Sequence, residues 1–140
     1  MEVQIAALCD SAADYNGKLC IMGTFDTILA RNFPFLHPQC SIALRMLFRD
    51  DDAGVLPVKI NIVNEDGQSV VPPIETRLEV VIPDDGVFFT RNMVFNMQHV
   101  KFEKPGAYSV DVTVNGRPVA GIPFRIAQYQ PQAGQPPANA

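Results

Sequence analysis

The chain has 140 residues, 47% of them hydrophobic and 19% charged, which suits one globular domain and excludes an extended disordered protein. Its formal charge of −4, without a cluster of Lys or Arg, argues against nucleic-acid binding, because phosphate recognition needs a basic face. No apolar stretch approaches the roughly 20 residues of a transmembrane helix. The N-terminus also lacks the basic and apolar regions of a signal peptide, so we expect a cytoplasmic protein without membrane contact.

The first half of the chain predicts three strands, in which apolar and polar residues alternate with a period of two. A polar loop over residues 10–18 follows the first strand. A connection containing Pro34 and Pro38 precedes the third, since proline cannot donate to a strand ladder. The predicted strands cover residues 2–9, 19–30 and 39–49.

The second half predicts five more strands, separated by Gly- and Asp-rich turns at residues 64–67 and 83–86. Pro72 and Pro73 interrupt the strand between these turns and indicate an edge position or a crossing between sheets. The predicted strands cover residues 58–62, 68–82, 87–99, 106–114 and 118–127. Residues 128–140 contain almost no bulky apolar side chains and are predicted to be a disordered tail.

The last two strands give the strongest pattern in the chain. Four apolar residues alternate with polar ones before the pair Asn115-Gly116, which tolerates the positive φ angles of a two-residue hairpin. The pattern predicts a half-buried antiparallel hairpin whose inward side chains are Tyr108, Val110, Val112 and Val114.

About eight evenly spaced strands and no convincing helix predict an all-β fold. We expect residues 1–127 to form a two-sheet antiparallel β-sandwich of immunoglobulin-like or jelly-roll type.

The stretch Phe102-x-x-Pro105-Gly106-x-Tyr108-x-Val-x-Val-x-Val-Asn-Gly resembles the closing hairpin of immunoglobulin-like and related bacterial β-sandwich domains. The chain lacks Trp and the inter-sheet cysteine pair of antibody domains. Taken whole, with Leu8-Cys9-Asp10 at its start and Gly17-Lys18-Leu19 leading to Gly23-Thr24-Phe25-Asp26, it is similar to a group of small uncharacterised bacterial proteins. That resemblance implies a fold and no activity.

The reactive side chains do not form a recognisable catalytic pattern. Cys9, Cys20 and Cys40 have no metal-binding spacing and are expected to be buried free thiols. His37, predicted to lie in a Pro-flanked loop, and His99, near a strand end, have no nucleophile motif beside them and are expected to have surface or capping roles. We therefore expect no enzyme and no cofactor.

Acidic loops give one candidate metal site. If every connection simply reverses the chain, the loops that carry Asp51, Asp52, Asp84 and Asp85 share one end of the sandwich. Converging carboxylates bind Ca²⁺, which takes roughly six to eight oxygen ligands, although turns also favour Asp for backbone reasons. A carbohydrate site near Tyr15 or Phe88 is a further alternative at these loops.

Some predicted outward positions are apolar, namely Ala43, Leu47, Val94 and Val100. Apolar residues on an outer sheet face favour contact with another molecule. The sequence therefore predicts a non-enzymatic interaction or structural module that binds a protein partner or another copy of itself. A calcium- or carbohydrate-binding domain is the alternative.

Overall fold

Two β-sheets form the fold, as a computed structural model of the chain shows for residues 1–130. The predicted tail lies mostly outside the described residues, which end two positions after the last strand. A short 3-10 turn, Asp50–Asp52, joins the fourth and fifth strands. The described residues form nine strands: β1 (Glu2–Tyr15), β2 (Lys18–Thr24), β3 (Thr27–Ala30), β4 (Phe35–Phe48), β5 (Gly54–Val63), β6 (Ile74–Val80), β7 (Phe89–Phe102), β8 (Gly106–Val114) and β9 (Arg117–Gln128).

The strand order is β2-β1-β4-β7 in the four-stranded sheet and β3-β9-β8-β5-β6 in the five-stranded sheet. The two sheets pack face to face, and their inward side chains form one buried cluster that includes Ile42 and Leu44 from β4 and Ile60 from β5. The all-β prediction is confirmed. β6, which follows Pro72 and Pro73, is an edge strand, as the sequence indicates.

The closing hairpin is also confirmed. Tyr108, Val110, Val112 and Val114 are all buried, and β8 pairs with β9 through a turn at Asn115-Gly116 in which both φ angles are positive. The alternation of apolar and polar residues therefore predicts correctly which side chains of this hairpin face the core.

The predicted strand at residues 19–30 is instead two strands in different sheets. The N–H of Phe25 donates to the carbonyl of Leu8 in the four-stranded sheet at 3.1 Å, whereas the carbonyl of Asp26 accepts from Arg125 in the five-stranded sheet at 2.8 Å. The chain thus crosses between the sheets at one peptide unit. β3 then pairs in parallel with β9, so the sheets are not wholly antiparallel as predicted.

A local irregularity in β7 changes which side chains face the core. His99 has φ of 53° and lies opposite Pro38 in the β4–β7 register. After it, Val100 and Phe102 are buried, although Val100 was predicted to point outward. The left-handed residue His99 shifts the alternation of inward and outward side chains by one position. A prediction from strict alternation therefore fails for the residues that follow it.

Candidate interaction surface

The loop predicted at residues 10–18 is instead the end of a long β-hairpin, in which residues 10–15 belong to β1, Lys18 begins β2 and Asn16-Gly17 forms the turn. Asn16 and Gly17 have φ of 51° and 81°, which a two-residue turn with two left-handed positions requires. β1 pairs with β4 only as far as Cys9, opposite Ser41, and beyond that point it pairs only with β2. The half of this hairpin nearest the turn therefore lies beyond the segment of β1 that pairs with β4.

The hairpin folds back over the outer face of the four-stranded sheet. The Arg45 guanidinium donates to the carbonyl of Gly17 at 3.2 Å, and the side-chain amide of Asn92 donates to the same carbonyl at 3.1 Å. Arg45 lies opposite Ile5 in the β1–β4 pair, far back along β1 from the turn. The tip can reach Arg45 only if the hairpin lies across the face of the sheet.

Polar contacts hold the tip in this position. Asp14 accepts hydrogen bonds from the N–H of Gly17 at 2.9 Å and from the side-chain amide of Asn92 at 3.0 Å, while Arg45 donates to the side-chain Oδ1 of Asn92 at 2.8 Å. The Gly17 N–H and then Asn92 lower the pKa of Asp14, since both favour its charged form. We call Asp14, Gly17, Arg45 and Asn92 the hairpin clamp.

Small residues lie beneath the folded hairpin. Ser41 and Ala43 on β4, between the point where the hairpin leaves the sheet and the point where its tip returns, are fully buried. Ser41 donates to Asn96 at 2.7 Å and accepts the thiol of Cys9 on its carbonyl at 3.4 Å. Ala43 is thus covered within the chain, and Leu47 is also buried, so these residues do not form the exposed apolar surface predicted for them.

The side of the hairpin that faces away from the sheet is exposed. Half-buried Ala12, Leu19 and Ile21 face inward, and the alternate residues face outward. Tyr15 and Met22 are 67% and 71% exposed, the highest values among the exposed large hydrophobic residues. We call this surface the outer hairpin face; it consists of Ser11, Ala13, Tyr15, Lys18, Cys20 and Met22, and Lys18 supplies its charge.

The environment of Cys20 contradicts the prediction that all three cysteines are buried. Its side chain is exposed, because β2 has one neighbour, β1, and turns this residue outward. Cys9 and Cys40 are buried as predicted. Burial raises the pKa of Cys9, and it raises the pKa of Cys40 to about 11, so both thiols stay protonated near neutral pH.

The sequence contained a signal for this surface that the loop prediction missed. Asn16-Gly17 is the strongest short-range hairpin pair, although the residues on either side of it do not alternate in polarity. No local pattern specifies that the hairpin folds back, because the contacts to Arg45 and Asn92 join residues far apart in the sequence.

The predicted acidic loops lie at one end of the fold. Phe48 pairs with Phe89 and Gly54 pairs with Val80, so the connection bearing Asp51 and the connection after β6 leave the sheets at the same end. Asp51 and Asp52 line a groove of about 430 Å³ together with Asn115 and Arg117.

The Asp52 carboxylate in this groove already has partners. It accepts the N–H of Arg49 at 2.9 Å and lies 3.1 Å from the Met1 ammonium group. The Arg49 N–H is the main cause of its lowered pKa. Asp85 caps its own turn by accepting the N–H of Val87 at 3.4 Å, and Asp84 lies next to it in the exposed turn. Within residues 1–130 no three His, Cys, Asp or Glu side chains are grouped to hold a metal, and the calcium site stays a prediction.

His37 is not in a loop, contrary to the prediction, but within β4. It is 5% exposed and lies between the rings of Phe25 and Phe35, with centroids 5.9 and 6.2 Å away. Neither ring nitrogen has a hydrogen-bond partner. Burial lowers the pKa of this imidazole, while the backbone of Gln39 and the charge of Asp10 raise it to a smaller extent. His37 is therefore a neutral core residue.

Residues 4–127 match the model of a family described as a family of unknown function, DUF6941. The chain belongs to this family. No curated protein matches it. Membership in DUF6941 agrees with the predicted resemblance to uncharacterised proteins and supplies no activity.

Among solved structures, the chain is similar to the Pseudomonas fluorescens alkylpurine DNA glycosylase AlkC, bound to DNA containing an abasic site analog. The identity is 11%, the TM-score is 0.47, and the match covers 89% of this chain and 30% of the glycosylase chain. A likeness at this level carries no argument about function. In the part of the chain that the structure describes, no helix is long and apolar enough to span a bilayer.

Proposed function

We propose that the chain is a non-enzymatic interaction module that binds a protein through the outer hairpin face and the free edge of β2. The observation that carries the proposal is the position of Tyr15 and Met22, which expose most of their apolar surface on a face with one charged residue. Exposed apolar groups beside a free strand edge suit β-strand addition, in which main-chain hydrogen bonds supply affinity and side chains supply specificity.

The environment of the histidines supports a non-enzymatic role. General-base chemistry requires an imidazole within hydrogen-bond reach of the group it deprotonates. His37 has no partner and is enclosed by aromatic rings, and His99 occupies a strained left-handed position on the edge strand β7. The enclosed imidazole of His37 does not suit proton transfer to a bound substrate.

We also propose that the sandwich is immunoglobulin-like rather than a jelly roll. The Tyr108 hydroxyl donates to the carbonyl of Lys104 at 2.5 Å, at the start of the penultimate strand. A tyrosine that bonds back to the preceding backbone at this place occurs in immunoglobulin-type sandwiches. A cytoplasmic setting fits the same proposal, since the exposed Cys20 thiol stays reduced there.

Site-specific photocrosslinking tests the proposed surface. A photoreactive phenylalanine analogue replaces Met22 in the full chain, expressed in its own host at native level, and adducts are identified by mass spectrometry. The matched control carries the same group at Val55, which is 59% exposed on β5 in the other sheet. We expect a discrete adduct from position 22 and none from position 55. No adduct from position 22, or the same adducts from both positions, would contradict the proposal.

A ligand site at the acidic end is the alternative function, with calcium or a carbohydrate as ligand. The shared groove of Asp51 and Asp52 favours it, whereas the guanidinium of Arg117 and the ammonium of Met1 add positive charge where a cation would bind. Calorimetric titration with Ca²⁺ compares the native chain with a double variant, Asp51→Asn and Asp52→Asn. Heat of binding in the native chain that disappears in the variant would establish the calcium site; no heat in either would remove it.

A further inference from the structure

We infer that the partner of this surface is a second copy of the chain, and that two β2 strands pair antiparallel about a two-fold axis. The inference rests on the function proposed above and specifies its partner. Pairing of this kind would join the two folded hairpins into one four-stranded layer across the dimer.

The four sheet edges differ in how well they are protected against such pairing. β6 follows two prolines and carries the outward charges Glu75, Arg77 and Glu79, and β3 has four residues. β7 carries the left-handed His99 and several polar side chains. Charges, prolines, shortness and backbone irregularities are the usual means by which proteins block edge pairing. β2 has no charge between Lys18 and its end at Thr24, and its left-handed residue, Gly23, lies next to that end, so residues 19–22 have none of these protections.

The sequence of β2 is compatible with pairing to itself. A two-fold axis at Ile21, the central residue of the strand, places Lys18 opposite Thr24 and Cys20 opposite Met22 of the other copy. The two lysines then lie at opposite ends of the pair, and no like charges face each other. A partner strand with its own charges would gain nothing from the uncharged middle of β2, which favours a second copy.

The hairpin clamp supports this pairing by keeping β2 extended. The tip is fixed to Arg45 and Asn92, and β1 is hydrogen-bonded along the whole inner side of β2. A strand that is already ordered loses less conformational entropy on association than a flexible segment.

Cys20 provides a native probe of the arrangement. It is the exposed thiol of the chain, and in the paired strands the two Cys20 residues are diagonal neighbours about 7–8 Å apart. A short bismaleimide adds one thiol at each end without any oxidation and therefore links the two copies where β2 pairs with β2.

The experiment uses the purified full chain. Size-exclusion chromatography with light scattering is expected to give twice the 15.4 kDa chain mass at high concentration, and the bismaleimide is expected to give a covalent dimer that the Cys20→Ser variant does not form. A double variant, Cys20→Glu and Met22→Glu, places like charges opposite each other and is expected to weaken association about tenfold or more. The matched control, Leu36→Glu and Val55→Glu, adds the same charge at exposed positions elsewhere and should leave the dimer intact. Circular dichroism checks that each variant is folded.

Two results would overturn the inference: a monomer at every concentration, or a dimer that is insensitive to the β2 double variant. The crosslinking experiment from position 22 separates this failure from that of the proposed function. An adduct with a different protein would refute self-pairing and leave the interaction surface standing, whereas the absence of any adduct would refute the surface itself.

Discussion

Within the described residues, the two ring nitrogens of His37 are the buried side-chain polar atoms that lack a hydrogen bond. A buried unsatisfied polar group costs about 1–3 kcal/mol of stability. The rings of Phe25 and Phe35 surround the imidazole, so the site suits an aromatic side chain without polar atoms.

This residue is expected to make folding stability depend on pH. Burial lowers the pKa of folded His37 below its ordinary value of 6.5, so the unfolded chain takes up the proton first. The contribution of neutral His37 is therefore complete above pH 6.5 and is lost as the pH falls below it, by at most about 1.4 kcal/mol per pH unit. Urea unfolding between pH 8 and pH 5 measures this slope.

Two variants test whether His37 causes this dependence of stability on pH. His37→Phe removes the titrating group, and we expect the chain to become more stable and the slope to flatten. His99→Asn removes the other histidine and keeps a residue that tolerates positive φ, so the slope should persist. Asp14 and Asp52 have lowered pKa values and would contribute only at more acidic pH. A slope that survives His37→Phe would show that another group causes it.

At the scale of elements, the bend between the sheet and the folded hairpin depends on Gly23. This residue has φ of 69°, and a Cβ atom added to it would lie 2.5 Å from the Asp10 carboxylate. Gly67 has a similar φ of 76° and nothing within 4 Å of an added Cβ. Both glycines have a positive φ, and of the two only Gly23 has a neighbour, Asp10, that an added Cβ atom would meet.

Alanine substitutions separate the cost of a left-handed backbone from the cost of the contact with Asp10. We expect Gly67→Ala to lose about 1–2 kcal/mol, the cost of a left-handed L-residue, and Gly23→Ala to lose more because Asp10 must also move. In an Asp10→Ala background the cost of Gly23→Ala should fall to that of Gly67→Ala. Chemical denaturation gives the free energies of unfolding of the native chain and of the four variants, Asp10→Ala alone included. Equal losses for the two glycines would mean that the Asp10 contact does not matter.

Elements whose faces are set by local alternation could be predicted from the sequence. The closing hairpin of β8 and β9 is the best case, since Tyr108 and its following valines alternate cleanly and Asn115-Gly116 fixes the turn. The crossing at Phe25 and Asp26 could not be predicted in this way. Its two hydrogen bonds go to Leu8 and Arg125, and a period of two says nothing about which sheet a strand joins.

The same limit explains the candidate surface at the scale of the whole molecule. Ala43 was predicted to be an exposed apolar position, because its neighbours on β4 alternate inward and outward. The folded hairpin covers it, so β4 is buried on both faces along much of its length. Because the hairpin covers the outer face of β4, the exposed apolar residues lie on the outside of the hairpin, where the sequence predicted a polar loop.

One core joins the two sheets, and this predicts a single cooperative unfolding transition. Leu44 lies in the four-stranded sheet and Ile60 in the five-stranded sheet, and both are essentially fully buried in the same cluster. Truncation of a buried Leu or Ile to Ala costs about 2–5 kcal/mol, depending on how far the cavity collapses.

We therefore expect Leu44→Ala and Ile60→Ala to shift the same transition, each by a loss in this range. Far-ultraviolet circular dichroism reports both sheets. When every chain also carries Tyr15→Phe and Tyr129→Phe, the fluorescence of Tyr108, the remaining tyrosine, reports the end of the core where its ring meets Phe102 and Phe124. Coincident curves from the two probes, in the native chain and in both variants, are the expected result. If Ile60→Ala moved the fluorescence curve and left part of the dichroism curve in place, the sheets would unfold separately, and the four-stranded sheet with its folded hairpin would be a stable unit of its own.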